Sequence, residues 1–97
     1  MEGIYFVKAV GTPETITTQK GDQLTKLNIV LATKETRVGD TGCYAVDVEY
    51  AIDLLGDRAN NFTLAVGSWL VANIAVNARE YNGKYAPEFR LIRYVKL

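Results

Sequence analysis

The chain has 97 residues, with 11 Lys or Arg against 11 Asp or Glu, and 48% of its residues are apolar. That supports one globular domain (residues 1–97) with a modest core and argues against a disordered chain. Zero net charge and a pI near 6.2 argue against a uniformly basic nucleic-acid binder, although a local basic stripe still acts within a Debye length of ~8–10 Å.

Residues 4–10 read as a short strand with apolar residues on both faces. Residues 11–23 hold Gly, Pro, several Thr and a Gly21-Asp22 step, and are expected to form a polar, mobile loop. Residues 24–34 give a second strand, with Leu27, Ile29 and Leu31 on one face. Residues 35–42 read as a turn whose cation, Arg37, is simply exposed. Residues 43–55 form a third strand. Tyr44, Val46, Val48, Tyr50, Ile52 and Leu54 alternate strictly, and Asp47, Glu49 and Asp53 lie on the opposite face. Gly56-Asp57 ends this strand. Residues 57–63 then allow a short helix with Asp57 as N-cap, and Phe62 and Leu64 would plug one end of a barrel.

Residues 69–97 read as a hairpin around Asn82-Gly83, the favoured pair for a two-residue type I′ turn. Counting back from that turn, Tyr81 faces Lys84, Arg79 faces Ala86, Ala75 faces Arg90, Val71 faces Tyr94 and Trp69 faces Lys96. The other face carries Leu70, Ala72, Ile74, Val76 and Ala78 against Phe89, Leu91, Arg93, Val95 and Leu97. It is core-like, with Arg93 as its odd member. The first face interleaves Trp69, Tyr81 and Tyr94 with Arg79, Lys84, Arg90 and Lys96. Flat π-surfaces beside cations suit sequence-tolerant binding of single strands. The bland readings are strand propensity, cationic blunting of a sheet edge, or a dimer interface.

The chemistry of catalysis is thin. Without histidine the chain lacks the commonest general base and metal ligand, and a single cysteine, Cys43, excludes an internal disulfide and a zinc finger. Cys43 fits a reducing cytosol and reads as a strand-end packing residue. Gly39-Asp40-Thr41-Gly42 and Gly56-Asp57 do not make a phosphate loop. Asp47, Glu49 and Asp53 are spaced so that a divalent cation is conceivable, but solvated charge is the commoner reading. The expectation is a non-enzyme with no cofactor and no metal. There is no apolar run of ~18–20 residues for a transmembrane helix and no basic, apolar leader at Met1-Glu2-Gly3-Ile4. A cytoplasmic protein is therefore expected.

Three strands, a short helix and a two-strand hairpin predict an all-β, five-stranded OB-fold barrel with the helix between the third and fourth strands. Closing the barrel removes exposed edges. An SH3-like barrel is the main competitor; it would have shorter strands and no helix before the hairpin. Leu54-Leu55-Gly56-Asp57-Arg58, Phe62, Val66-Gly67 and Ala78-Arg79-Glu80-Tyr81-Asn82-Gly83-Lys84-Tyr85 resemble small single-domain OB proteins of Bacteroides-type bacteria and their mobile elements. Those proteins are in turn similar to bacterial single-stranded DNA-binding proteins, whose Arg-x-Tyr-x-Gly turn is matched by Arg79, Tyr81 and Gly83. The resemblance spans about residues 44–95. It departs in lacking an acidic partner-recruiting tail, in having Leu55 where a tryptophan is expected, and in the acidic third strand. The layout is also similar to dimeric primosomal OB proteins. The resemblance implies single-stranded DNA or RNA as partner and a homodimer or homotetramer, without membrane or small-molecule cofactor. The alternative is a protein-interaction or assembly module centred on Trp69, Val71, Ile92 and Tyr94. A small-ligand or oligosaccharide role has no support beyond the fold.

Overall fold

In the computed structural model, residues 2–97 are described. They form β1 (Glu2–Val10), β2 (Glu14–Thr17), β3 (Gln23–Gly39), β4 (Gly42–Leu55), α1 (Asp57–Asn61), β5 (Trp69–Tyr81) and β6 (Lys84–Lys96). The main strands lie side by side in the order β4-β3-β1-β5-β6, all pairs antiparallel, with β2 on the start of β3. With α1 connecting β4 to β5, this is the OB-fold arrangement.

Alternation builds the core. Val7, Ile29, Leu31, Ile52, Leu70 and Ile74 are completely buried, each contributing about 1.5–3 kcal/mol by leaving water. Ala59 of α1 and Phe62 after it are buried in the same cluster, with Leu64 packed on its margin. Phe62 thus plugs the barrel as expected. The chain enters α1 through Gly56, whose φ of 64° is in the left-handed region that glycine tolerates. The Gly56 N–H donates to the Thr25 carbonyl at 2.8 Å, pinning the helix to β3. Gly56 is therefore the cap, in place of the expected Asp57, and no side chain caps the helix. Asp57 instead sets a negative charge in its first turn.

Other sequence expectations change in detail. The expected loop at 11–23 contains β2, where Glu14, Thr15, Ile16 and Thr17 pair with Lys26, Thr25, Leu24 and Gln23. The β-branched Thr-Ile-Thr run accounts for this. The expected turn at 35–42 shrinks to Asp40-Thr41, because the β3–β4 ladder continues to Gly39 opposite Gly42. Thr36 and Val38 suit a strand, and Arg37 pairs with Glu35 at 3.3 Å. Cys43 is exposed at the start of β4, not packed. Val76, expected in the core, is about half exposed, as is Tyr44 of the alternating third strand, because both long hairpins run past the end of the barrel.

The barrel is not closed by hydrogen bonds. β4 and β6 approach each other, yet no ladder joins them. Side chains bridge the seam instead. Tyr50 of β4 meets Phe89 of β6 edge to face, ring centroids 4.9 Å apart. The Arg58 guanidinium donates from Nη1 to the Leu91 carbonyl and from Nη2 to the Ile92 carbonyl, the latter at 3.1 Å. One arginine from α1 thus satisfies two edge carbonyls that a barrel strand would otherwise have paired. No described helix is long and apolar enough to cross a membrane.

Candidate nucleic-acid interface

The β5–β6 hairpin turns at Asn82 (φ 53°) and Gly83 (φ 78°), as the type I′ pair requires. From there the observed register matches the expected one through Tyr81–Lys84, Arg79–Ala86 and Ala75–Arg90. It then slips. Ile74 pairs with Leu91 and Asn73 with Arg93, so Ile92 is an extra residue in a β-bulge. Beyond it Ala72 faces Tyr94, Val71 faces Val95 and Leu70 faces Lys96.

A one-residue slip moves every later side chain to the opposite face. Tyr94 and Lys96 therefore leave the face assigned to them. Tyr94 turns inward and packs on Phe62, ring centroids 5.5 Å apart. Lys96 lines up with buried Leu70 and remains exposed only because it lies at the barrel's end. Arg93, Val95 and Leu97 move outward, and all three are exposed. Sequence reasoning missed Arg93. The available signal was the arginine itself, a charge in an apolar stripe. Arg58 was also missed as a seam residue, and nothing in a five-residue helix announces that role.

The remaining expected residues fall into two groups. Arg79, Tyr81 and Arg90 line a groove of about 540 Å³ between the hairpin and β4. Leu54, Phe89 and Leu91 supply apolar surface there, Asp53 and Leu55 come from β4, and Glu88 stands beside Arg79. Lys84 adjoins this group at the turn, opposite Tyr81. Tyr81 is 73% exposed, an open aromatic face at the end of the groove. Trp69 lies twelve residues back along β5, roughly 40 Å at strand rise, and belongs to another surface. Its ring packs on Phe6, centroids 5.4 Å apart.

Charge is partitioned more sharply than net neutrality suggests. The acidic outer face of β4 is matched by lysines from its neighbours. Lys34 meets Asp47 at 3.2 Å, Lys8 meets Glu49, and Asp53 accepts from Asn28 at 2.9 Å with Lys26 at 3.8 Å. These carboxylates are dispersed along the strand, and among the described residues no group of three or more His, Cys, Asp or Glu is arranged to hold a metal. By contrast, Lys84, Arg90, Arg93 and Lys96, all on β6, make no ion pair among the described residues. Arg79 is held by Glu88 at 3.2 Å. The unneutralised positive charge of the sheet is therefore concentrated on β6, with Arg90 in the groove, Lys84 at the turn next to it, and Arg93 and Lys96 further along the strand.

An OB barrel with an open seam, a basic final strand and an exposed aromatic at its hairpin tip is the class these features define. No known protein-family profile matches the chain, and no curated protein matches it in sequence. Solved structures do match. One is a deletion and point mutant of the single-stranded DNA-binding protein from Thermus aquaticus, at TM-score 0.59 and 19% identity over 100% of this chain; the chain spans 50% of that protein. Another is the small single-stranded DNA-binding protein from Streptomyces coelicolor, at TM-score 0.55 and 14% identity over 99% of this chain and 91% of that one. At these identities the likeness is one of fold.

Proposed function

We propose that the protein binds single-stranded nucleic acid, DNA foremost and without strong sequence preference, along the outer face of β5 and β6. The observation that carries this reading is the row of unpaired cations on β6, Lys84, Arg90 and Arg93, beside a groove that ends in exposed Tyr81. Phosphates are attracted to the cations and a base stacks on Tyr81. The names of the two structural neighbours support the same reading. The role needs no catalytic group, cofactor or metal. Tyr81→Ala tests it. Affinity for a labelled oligothymidine falls by about 1–3 kcal/mol with an unchanged salt slope, because stacking releases no counterions. Unaltered affinity would remove Tyr81 from the site.

A second surface supports self-association as a homodimer or homotetramer. Ile4, Trp69, Val95 and Leu97 are each more than half exposed. Ile4 pairs with Val71 and Val71 with Val95, so these residues form one apolar patch across β1, β5 and β6 on the outer face. Patches of this kind mark protein contacts. In this reading Trp69 faces another subunit and not a base.

A further inference from the structure

The groove's charge pattern bears on which base enters it, an inference that rests on the single-strand reading above. Along one wall a guanidinium and a carboxylate stand side by side, Arg79 Nη1 being 3.2 Å from Glu88 Oε1. The pair is diagonal across the hairpin, since Arg79 is directly opposite Ala86 and Glu88 opposite Asn77. Asp53 adds a second carboxylate on the facing wall, already engaged by Asn28 and Lys26. With Glu88 held by Arg79 and Asp53 by Lys26, the groove cation left without a carboxylate or carbonyl partner among the described residues is Arg90, so a phosphate goes to Arg90 and a base to the Arg79–Glu88 pair.

A base entering this groove meets an acceptor pair from Glu88 and a donor fork from Arg79. Carboxylates accept from exocyclic amines and ring N–H groups, and arginine donates in bidentate fashion to guanine O6 and N7. Guanine alone presents both edges strongly: N1–H and the 2-amino group as donors, O6 and N7 as acceptors. Thymine offers one N–H donor and has no amine. We infer that the Arg79–Glu88 pair is a specificity element that favours guanine at one position of an otherwise tolerant site. On binding, the pair exchanges its mutual contact for contacts to the base, and Tyr81 gives stacking to any base.

The test is anisotropy titration of three labelled 12-mers at fixed moderate salt: all-thymidine, the same with one central guanine, and the same with inosine at that place. Inosine keeps N1–H, O6 and N7 but lacks the 2-amino group. The guanine oligomer is expected to bind roughly fivefold to tenfold tighter than all-thymidine, with inosine losing most of that gain. In Glu88→Gln, a carboxamide of equal size, the guanine preference shrinks towards one. Equal affinity of the wild-type protein for the guanine and thymidine oligomers overturns the inference while leaving single-strand binding intact. So does a preference that survives both inosine and Glu88→Gln. Failure of all three oligomers to bind overturns the single-strand reading and this inference with it.

Discussion

Tyr94 stands opposite Ala72, one residue away from the Val71 that an unbroken ladder counted from Asn82-Gly83 would give it. The extra residue is Ile92, and its carbonyl is the one that receives Nη2 of Arg58 at 3.1 Å. The bulge, the inward turn of Tyr94 and the outward turn of Arg93 are therefore linked to a single side chain from α1. β-Bulges commonly re-aim side chains in this way.

Arg58→Ala removes the bridge between α1 and the free edge of β6. Two carbonyls lose a charged donor, and a cost of about 1–3 kcal/mol is expected. Chemical denaturation measures it. Hydrogen exchange adds a local readout: amides around the β6 bulge gain exchange more than those of the β3–β4 ladder. Arg58→Lys restores little, since one ammonium does not span two carbonyls as a planar fork does.

The phenols inside the barrel give a pH dependence. Burial first, and then the neighbouring Glu35 carboxylate, raise Tyr5 and Tyr50 above the ordinary tyrosine value of 10.0. The Tyr50 hydroxyl donates to Glu35 Oε1 at 3.1 Å, which also favours its neutral form. In the unfolded chain these groups lose their protons near pH 10.0, while the folded chain still holds them. Their contribution is thus fully present below that pH and is lost as pH rises towards the folded values. Thermal stability is expected to fall above about pH 10 more steeply in the wild type than in Tyr50→Phe. At neutral pH Tyr50→Phe costs about 1 kcal/mol for the lost hydrogen bond.

The two ends of β5 are expected to separate by mutation. Val95→Glu or Trp69→Ala lowers the mass seen by light scattering if the patch around Phe6 and Trp69 joins subunits. Trp69 is roughly 40 Å from Tyr81 at strand rise, so the intrinsic affinity of one subunit for a short oligonucleotide should be little affected. An unchanged mass in both variants would release this patch from any role in assembly.

Much of the fold was legible because alternation and turn chemistry are local. Asn82-Gly83 fixed the hairpin and its near register, and the Tyr44-to-Leu54 alternation fixed β4. The Ile92 bulge was not legible, because no turn residue or break in the alternation marks it, and the Arg58 side chain that meets its carbonyl lies 34 positions away in sequence. For that reason Tyr94 and Lys96 were assigned to the wrong face and Arg93 was passed over. That the acidic face of β4 is neutralised was not legible either. Its lysine partners come from β1 and β3, and only the sheet order brings them alongside.

Arginines in the groove should differ in their salt dependence. Arg90 makes no ion pair among the described residues, whereas Arg79 is held by Glu88. Arg90→Ala is expected to flatten the slope of log affinity against log salt by about 0.7, one phosphate on a single strand. Arg79→Ala flattens it less, because Glu88 already offsets its charge. Equal slopes in wild type and Arg90→Ala would place the backbone elsewhere.

The most direct measurement is the affinity of the wild-type protein for a labelled single-stranded oligothymidine and for a duplex of equal length, from low to moderate salt. With Lys84, Arg90 and Arg93 engaging phosphates, the protein is expected to bind the single strand preferentially, with a slope of about −2 in log affinity against log salt. Equal affinity for the duplex, or no binding of the single strand at low salt, would contradict it.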